Sequence, residues 1–166
     1  AVLEKSIKGH QHYVEEISPD FVKIMSDGFF RYPSALYSRE ITSIQELKDI
    51  QPIGEHHPWI EKQIEVVKEI CSHFHEEIAS FYNIFSPISY LKRWFRTDHS
   101  RGDQVIADFI KEDPETLAHV LDVIAEDIAI LSRRLIQEAG VEGIYFSTQQ
   151  IQDERVTDEE YRKIIE

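Results

Sequence analysis

Three short apolar segments, 21–25, Ala79–Phe85 and Gly143–Ser147, stand about sixty residues apart, and the chain between them carries helical patterning. Strands so far apart cannot pair as hairpins; they need long crossover connections, and crossover-linked strands of one sheet run parallel. A parallel sheet is covered on both faces, which is why each segment is a short apolar run. Each run empties into polar, turn-forming residues: Ser26-Asp27-Gly28, then Ser86-Pro87-Ile88-Ser89-Tyr90, then Ser147-Thr148-Gln149-Gln150. Sites of parallel α/β folds collect at the carboxyl ends of strands, so chemistry is expected at these three exits.

The intervening stretches read as helices. Residues 2–17 place Leu3, Ile7, Tyr13, Val14 and Ile17 on one face, with Gly9 weakening the middle and Pro19 ending the run. Thr42-Ser43-Ile44-Gln45 has capping-box form and predicts a short helix to Ile50. His57-Pro58 puts proline in a first turn and predicts a longer helix through about Glu77. Asp113-Pro114-Glu115 starts the clearest element, whose face of Leu117, Val120, Leu121, Ile124, Ile128, Leu131 and Leu135 persists to Ala139-Gly140. Thr157-Asp158-Glu159-Glu160 is a further capping box and opens a helix running to the end of the sequence.

Three such strands make a poor complete domain, whereas a closed (β/α)8 barrel takes roughly 250 residues. The expected fold is therefore α/β, a partial TIM-type barrel with parallel strands near 21–25, 79–85 and 143–147. Residues 1–166 would form a single domain cut from a longer barrel enzyme, and its open edges predict a homodimer. A net charge of −13 argues against nucleic acid or anionic membrane as partner. With no long apolar run and a single cysteine, Cys71, the chain reads as cytoplasmic and free of internal disulfides. Cys71, near Val67 and Phe74, reads as a small packed hydrophobe. The pairs His10-x-His12 and His73-x-His75 point to opposite sides of a helix, so no metal site is expected.

The run Pro19-Asp20-Phe21-Val22-Lys23-Ile24-Met25-Ser26-Asp27-Gly28-Phe29-Phe30, then Phe85-Ser86-Pro87 leading a helix, then Ala139-Gly140-Val141-Glu142-Gly143-Ile144-Tyr145-Phe146-Ser147-Thr148-Gln149, resembles the uroporphyrinogen decarboxylase family. The resemblance implies a (β/α)8 barrel and places this chain after the family's first strand and before its last several. The family's arginine-bearing N-terminal segment and C-terminal histidine region have no counterpart here, so the chain alone is expected to be inactive.

Within that resemblance Asp27 matches the active-site aspartate, a carboxylate that faces pyrrole N–H groups and stabilises the cation formed on ring protonation, without any cofactor. From composition alone Ser26-Asp27-Gly28 reads as a turn. Ser86-Pro87 reads as a helix start able to receive a substrate carboxylate. The family carries a tyrosine in that helix. Ungapped, Arg93 falls at its place and Tyr90 one turn earlier, so either Tyr90 substitutes or Arg93 marks a different anionic substrate. At the third exit an ungapped match puts Gln149 at the family's substrate-side serine, and a small shift puts Ser147 there. The small-molecule anionic substrate would find its local cations in Arg31, Arg39, Lys92, Arg93 and Arg96. A zinc- and corrinoid-dependent methyltransferase of the same superfamily is the alternative activity, and an inactive self-associating fragment the non-catalytic one.

Overall fold

The structure is a computed structural model describing residues 2–25, 30–33, 41–74, 78–95, 101–149, 151 and 153–165. Along the chain run α1 (Val2–Ile17), β1 (Phe21–Ile24), a 3-10 turn (Ile44–Leu47), α2 (Pro58–Cys71), β2 (Ala79–Phe85) and α3 (Pro87–Trp94). They are followed by α4 (Arg101–Glu112), α5 (Pro114–Glu138), β3 (Gly143–Ser147) and α6 (Asp158–Ile165). The three strands form one sheet in the order β1-β2-β3, and β1 pairs parallel to β2 with Phe21 opposite Ala79 and Ile24 opposite Tyr82. The α/β class and all three strand positions follow the spacing of the apolar segments.

Two helices differ from expectation. Residues 42–50 give only the 3-10 turn, with the capping box one residue later: Ser43 Oγ accepts the Gln45 N–H, while Glu46 accepts the Ser43 N–H at 3.2 Å. The helix opened by His57 and Pro58 stops at Cys71 instead of near Glu77. There Ser72 Oγ and the His73 ring both take the Glu69 carbonyl, which competes with continuing the helical ladder. α4 was not read from the sequence, although Ser100 directly ahead of Arg101 and Asp103 three residues on have capping-box form; Gly102 in the first turn weakens that pattern.

The chain divides into two compact units. The first comprises Ala1–Phe30, Gly54–Ile84 and Ile128–Ser147, and holds the sheet. Val22, Ile24, Ser80, Tyr82 and Ile84 are buried on one sheet face. α2 lies on that face, since Tyr82 Oη donates to Gln63 Oε1 at 2.8 Å and Gln63 Nε2 returns to the Trp59 carbonyl at 3.0 Å. Arg134 of α5 ties the layer together, bonding Glu61 at 2.6 Å, Glu138 at 2.6 Å and the Glu55 carbonyl at 2.9 Å. Glu142, just before β3, accepts both the N–H and the hydroxyl of Ser80 on β2, which fastens the amino ends of these strands.

The alternate residues face the other way and are far less covered. Phe21 is 64% exposed, Met25 37% and Tyr145 50%, and Lys23 stands 3.8 Å over the Tyr145 ring. At the outer edge of β1 the Met25 N–H donates to His10 Nε2 at 3.1 Å. The His10 Nδ1 therefore carries the proton, and it donates to the Ser6 carbonyl at 2.8 Å.

The second unit comprises Arg31–Ile53, Phe85–Asp127 and Thr148–Glu166. Leu91, Ile106, Phe109, Ile110, Leu117, Val120 and Ile124 form its apolar centre. α3 and α4 approach closely at Gly102, and Lys92 pairs with Asp103 at 2.6 Å beside that crossing. Buried Asp127 accepts the Tyr32 hydroxyl at 2.5 Å and the Ile53 N–H at 3.1 Å, so it anchors the segment leading to α2. Thr157 and Glu160 form the expected reciprocal cap at the start of α6.

Candidate functional site

At the carboxyl ends of β2 and β3, within the first unit, the structure pairs two polar residues. Ser147 Oγ donates to Asn83 Oδ1 at 2.6 Å. Asn83 is 1% exposed, and its Nδ2 has no hydrogen-bond partner among the described residues. In the parallel register Asn83 follows Tyr82, the partner of Ile24, so it stands across from Met25, the last apolar residue before Ser26 and Asp27. It shares its face with Lys23 and Phe81, the less covered side of the sheet. Ser147, singled out from the sequence, thus reaches a strand-end site, and its partner Asn83 had gone unnoticed. The legible signal was a lone amide inside the apolar run Ala79-Ser80-Phe81-Tyr82-Asn83-Ile84-Phe85.

The second exit belongs to the other unit. Ser86 is the N-cap of α3, accepting the Ser89 N–H at 3.4 Å, and the two hydroxyls lie 2.8 Å apart. Ser89 Oγ also accepts the Gln149 N–H at 2.9 Å, so the backbone of the third exit is held on the first turn of α3 while the Gln149 side chain stays exposed. Tyr90 is 4% exposed, its ring packed edge-on against Phe85 at 5.7 Å and tilted against Tyr32 at 6.3 Å. Burial pushes its phenol up to about 12, against the opposing pull of a Phe85 backbone hydrogen bond and the Arg93 charge. Arg93 is half-buried and its guanidinium sits 4.6 Å over the Phe85 ring. Tyr90 and Arg93 therefore both pack on the Phe85 ring.

Asp27, with Ser26 and Gly28, lies outside the described residues, as do Arg39, Arg96 and His75. The expected packed role of Cys71 matches its surroundings: the thiol is 3.8 Å from Ser80 Oγ and burial raises its pKa. Among the described residues no three His, Cys, Asp or Glu side chains converge as metal ligands would. No described helix is long and apolar enough to cross a membrane. Searches against protein-family models, curated proteins and solved structures return no match to this chain.

Proposed function

We propose that the protein is a uroporphyrinogen decarboxylase-like lyase and that its sheet is part of a (β/α)8 barrel. The observation that carries this is the sheet itself: three parallel strands in unbroken chain order, with Val22, Ile24, Ser80, Tyr82 and Ile84 buried on one face and Phe21, Met25 and Tyr145 exposed on the other, although Phe146 at the β3 edge of the first face is exposed as well. Parallel crossovers are right-handed, so strands added in chain order put every connecting helix on one face. A doubly wound sheet reverses its order to cover both faces; a barrel closes so that the second face becomes its interior. The uncovered face fits the latter.

In this reading the reaction exchanges a carboxylate for hydrogen on a tetrapyrrole side chain. A pyrrole carbon takes a proton, the carbon–carbon bond to the carboxylate breaks with its electron pair drawn into the cationic ring, and CO₂ leaves. The methylene left behind gains a proton as the ring carbon gives its own up. Asp27 stabilises the cation, and the donors at the other exits, Ser147 among them, hold carboxylates or ring atoms. No cofactor takes part.

The test is anaerobic incubation of the full-length protein with uroporphyrinogen, followed by chromatography of the oxidised porphyrins. Products with fewer carboxylates are expected, and Asp27→Asn should slow their formation on the order of a hundredfold to a thousandfold while the protein stays folded. Intact substrate after long incubation with wild-type protein would exclude the assignment. The exposed face also favours a second, non-catalytic reading, in which the 166-residue chain buries Phe21 and Tyr145 against a second copy.

A further inference from the structure

We infer that Asn83 is a substrate-binding residue whose side-chain amide donates to a carboxylate oxygen of the ligand; the identity of that ligand rests on the decarboxylase reading. An amide has four hydrogen-bonding valences, and a fully buried one is ordinarily satisfied at both ends. In Asn83 only the carbonyl end is satisfied, by Ser147 Oγ at 2.6 Å, and Nδ2 has no partner among the described residues. With Ser147 Oγ donating to Oδ1, the unpaired end is the N–H₂ donor. Leaving such a group unpaired in the interior destabilises the fold, whereas Leu or Met would fill a similar volume with no such cost.

The location supplies the reason to keep it. Asn83 lies at the carboxyl end of the central strand, on the face away from the α2 layer and across from the residue that leads into Ser26 and Asp27. The Ser147 hydroxyl, by donating to Oδ1, fixes the amide plane and leaves the two Nδ2 hydrogens as the free pair. A group with only donors to offer selects an acceptor, and in a substrate bearing several carboxylates that acceptor is a carboxylate oxygen. Ser147 is then a positioning residue that acts through Asn83. The strand-end amide gives an acidic protein a way to hold an anion without a cation at that point.

The probe is uroporphyrin, the oxidised and unreactive counterpart of the substrate, titrated into full-length protein and followed by quenching of tryptophan fluorescence. Asn83→Leu should weaken binding by about tenfold or more, with the melting temperature unchanged or raised because the orphan donor goes with the amide. In the wild-type protein the side-chain ¹⁵N–H₂ resonances missing from the Asn83→Leu spectrum should move on saturation with uroporphyrin, which tests the inference even if the variant folds poorly. Ser147→Ala should weaken binding less than Asn83→Leu does. Wild-type binding with unmoved Asn83 resonances, or an Asn83→Leu affinity within about twofold of wild type, overturns the role of Asn83 and leaves the tetrapyrrole reading standing. Failure of the wild-type protein to bind uroporphyrin at all overturns both.

Discussion

Asp127 and Tyr90 are the two residues whose chemistry departs most from what their neighbours in sequence suggest. Asp127 is a carboxylate inside the apolar stripe of α5, three residues after Ile124 and four before Leu131, and it is fully buried. Its oxygens are satisfied by Tyr32 Oη and the Ile53 N–H. Tyr32→Phe leaves a buried oxygen short of a donor and should cost about 1–3 kcal/mol in urea unfolding, far more than a surface Tyr→Phe change. For Tyr90 the sign of the pH effect follows from the folded phenol holding its proton up to about 12, above the ordinary value of 10.0. Its stabilisation is complete below pH 10.0 and is lost as the pH climbs from there towards 12. Tyr90→Phe should flatten this alkaline limb of an unfolding profile, and an unchanged limb would show that Tyr90 is not the group responsible. Asp127 went unremarked in the sequence, where the apolar periodicity around it gave no sign of what would satisfy a buried acid, because Tyr32 and Ile53 lie far away along the chain.

The elements were legible in proportion to how much of their energy is local. α5 has a proline-marked start, a capping aspartate whose carboxylate accepts the Thr116 N–H at 3.0 Å, and an apolar stripe of seven residues from Leu117 to Leu135, about five turns; every residue of that stripe is buried. Ile124→Ala and Leu131→Ala should each cost about 2–5 kcal/mol, whereas Asp122→Ala and Glu126→Ala, on the exposed face, should change stability by about 0.5 kcal/mol or less. Equal effects at all four sites, measured by chemical denaturation, would contradict this packing. α4 went unread because a glycine interrupts its first turn, and that glycine is there for a tertiary contact. A Cβ on Gly102 would stand 2.7 Å from the Lys92 carbonyl oxygen of α3, closer than real atoms approach. Gly102→Ala should therefore destabilise the second unit by about 1–3 kcal/mol in a thermal melt, although alanine is the better helix former. The Asn83–Ser147 pair was missed because its two members are sixty-four residues apart, and only sheet formation brings them together.

At the scale of the whole chain the sheet sets the strongest constraint. A parallel sheet with helices over one face must find cover for the other, and here that face carries exposed Phe21, Met25 and Tyr145. The outer edge of β1 adds to the demand. In the parallel register Val22 and Ile24 turn their backbone groups to β2, so those of Phe21 and Lys23 point outward, beside a cleft of about 800 Å³ between α1 and β1. In a closed barrel, further strands would satisfy both face and edge. In the 166-residue chain expressed by itself, a second copy is the cover at hand, and association should be visible by sedimentation at micromolar protein. Each copy brings a net charge of −13, so the apolar gain works against repulsion, and added salt should tighten the assembly by screening that repulsion. Tyr145→Glu combined with Phe21→Glu should return the chain to monomers with its helical content intact, because both side chains leave the helix-covered face untouched. A wild-type chain that remains monomeric at all salt concentrations would mean that the exposed face is stable in water, and the barrel reading would lose the observation on which it stands.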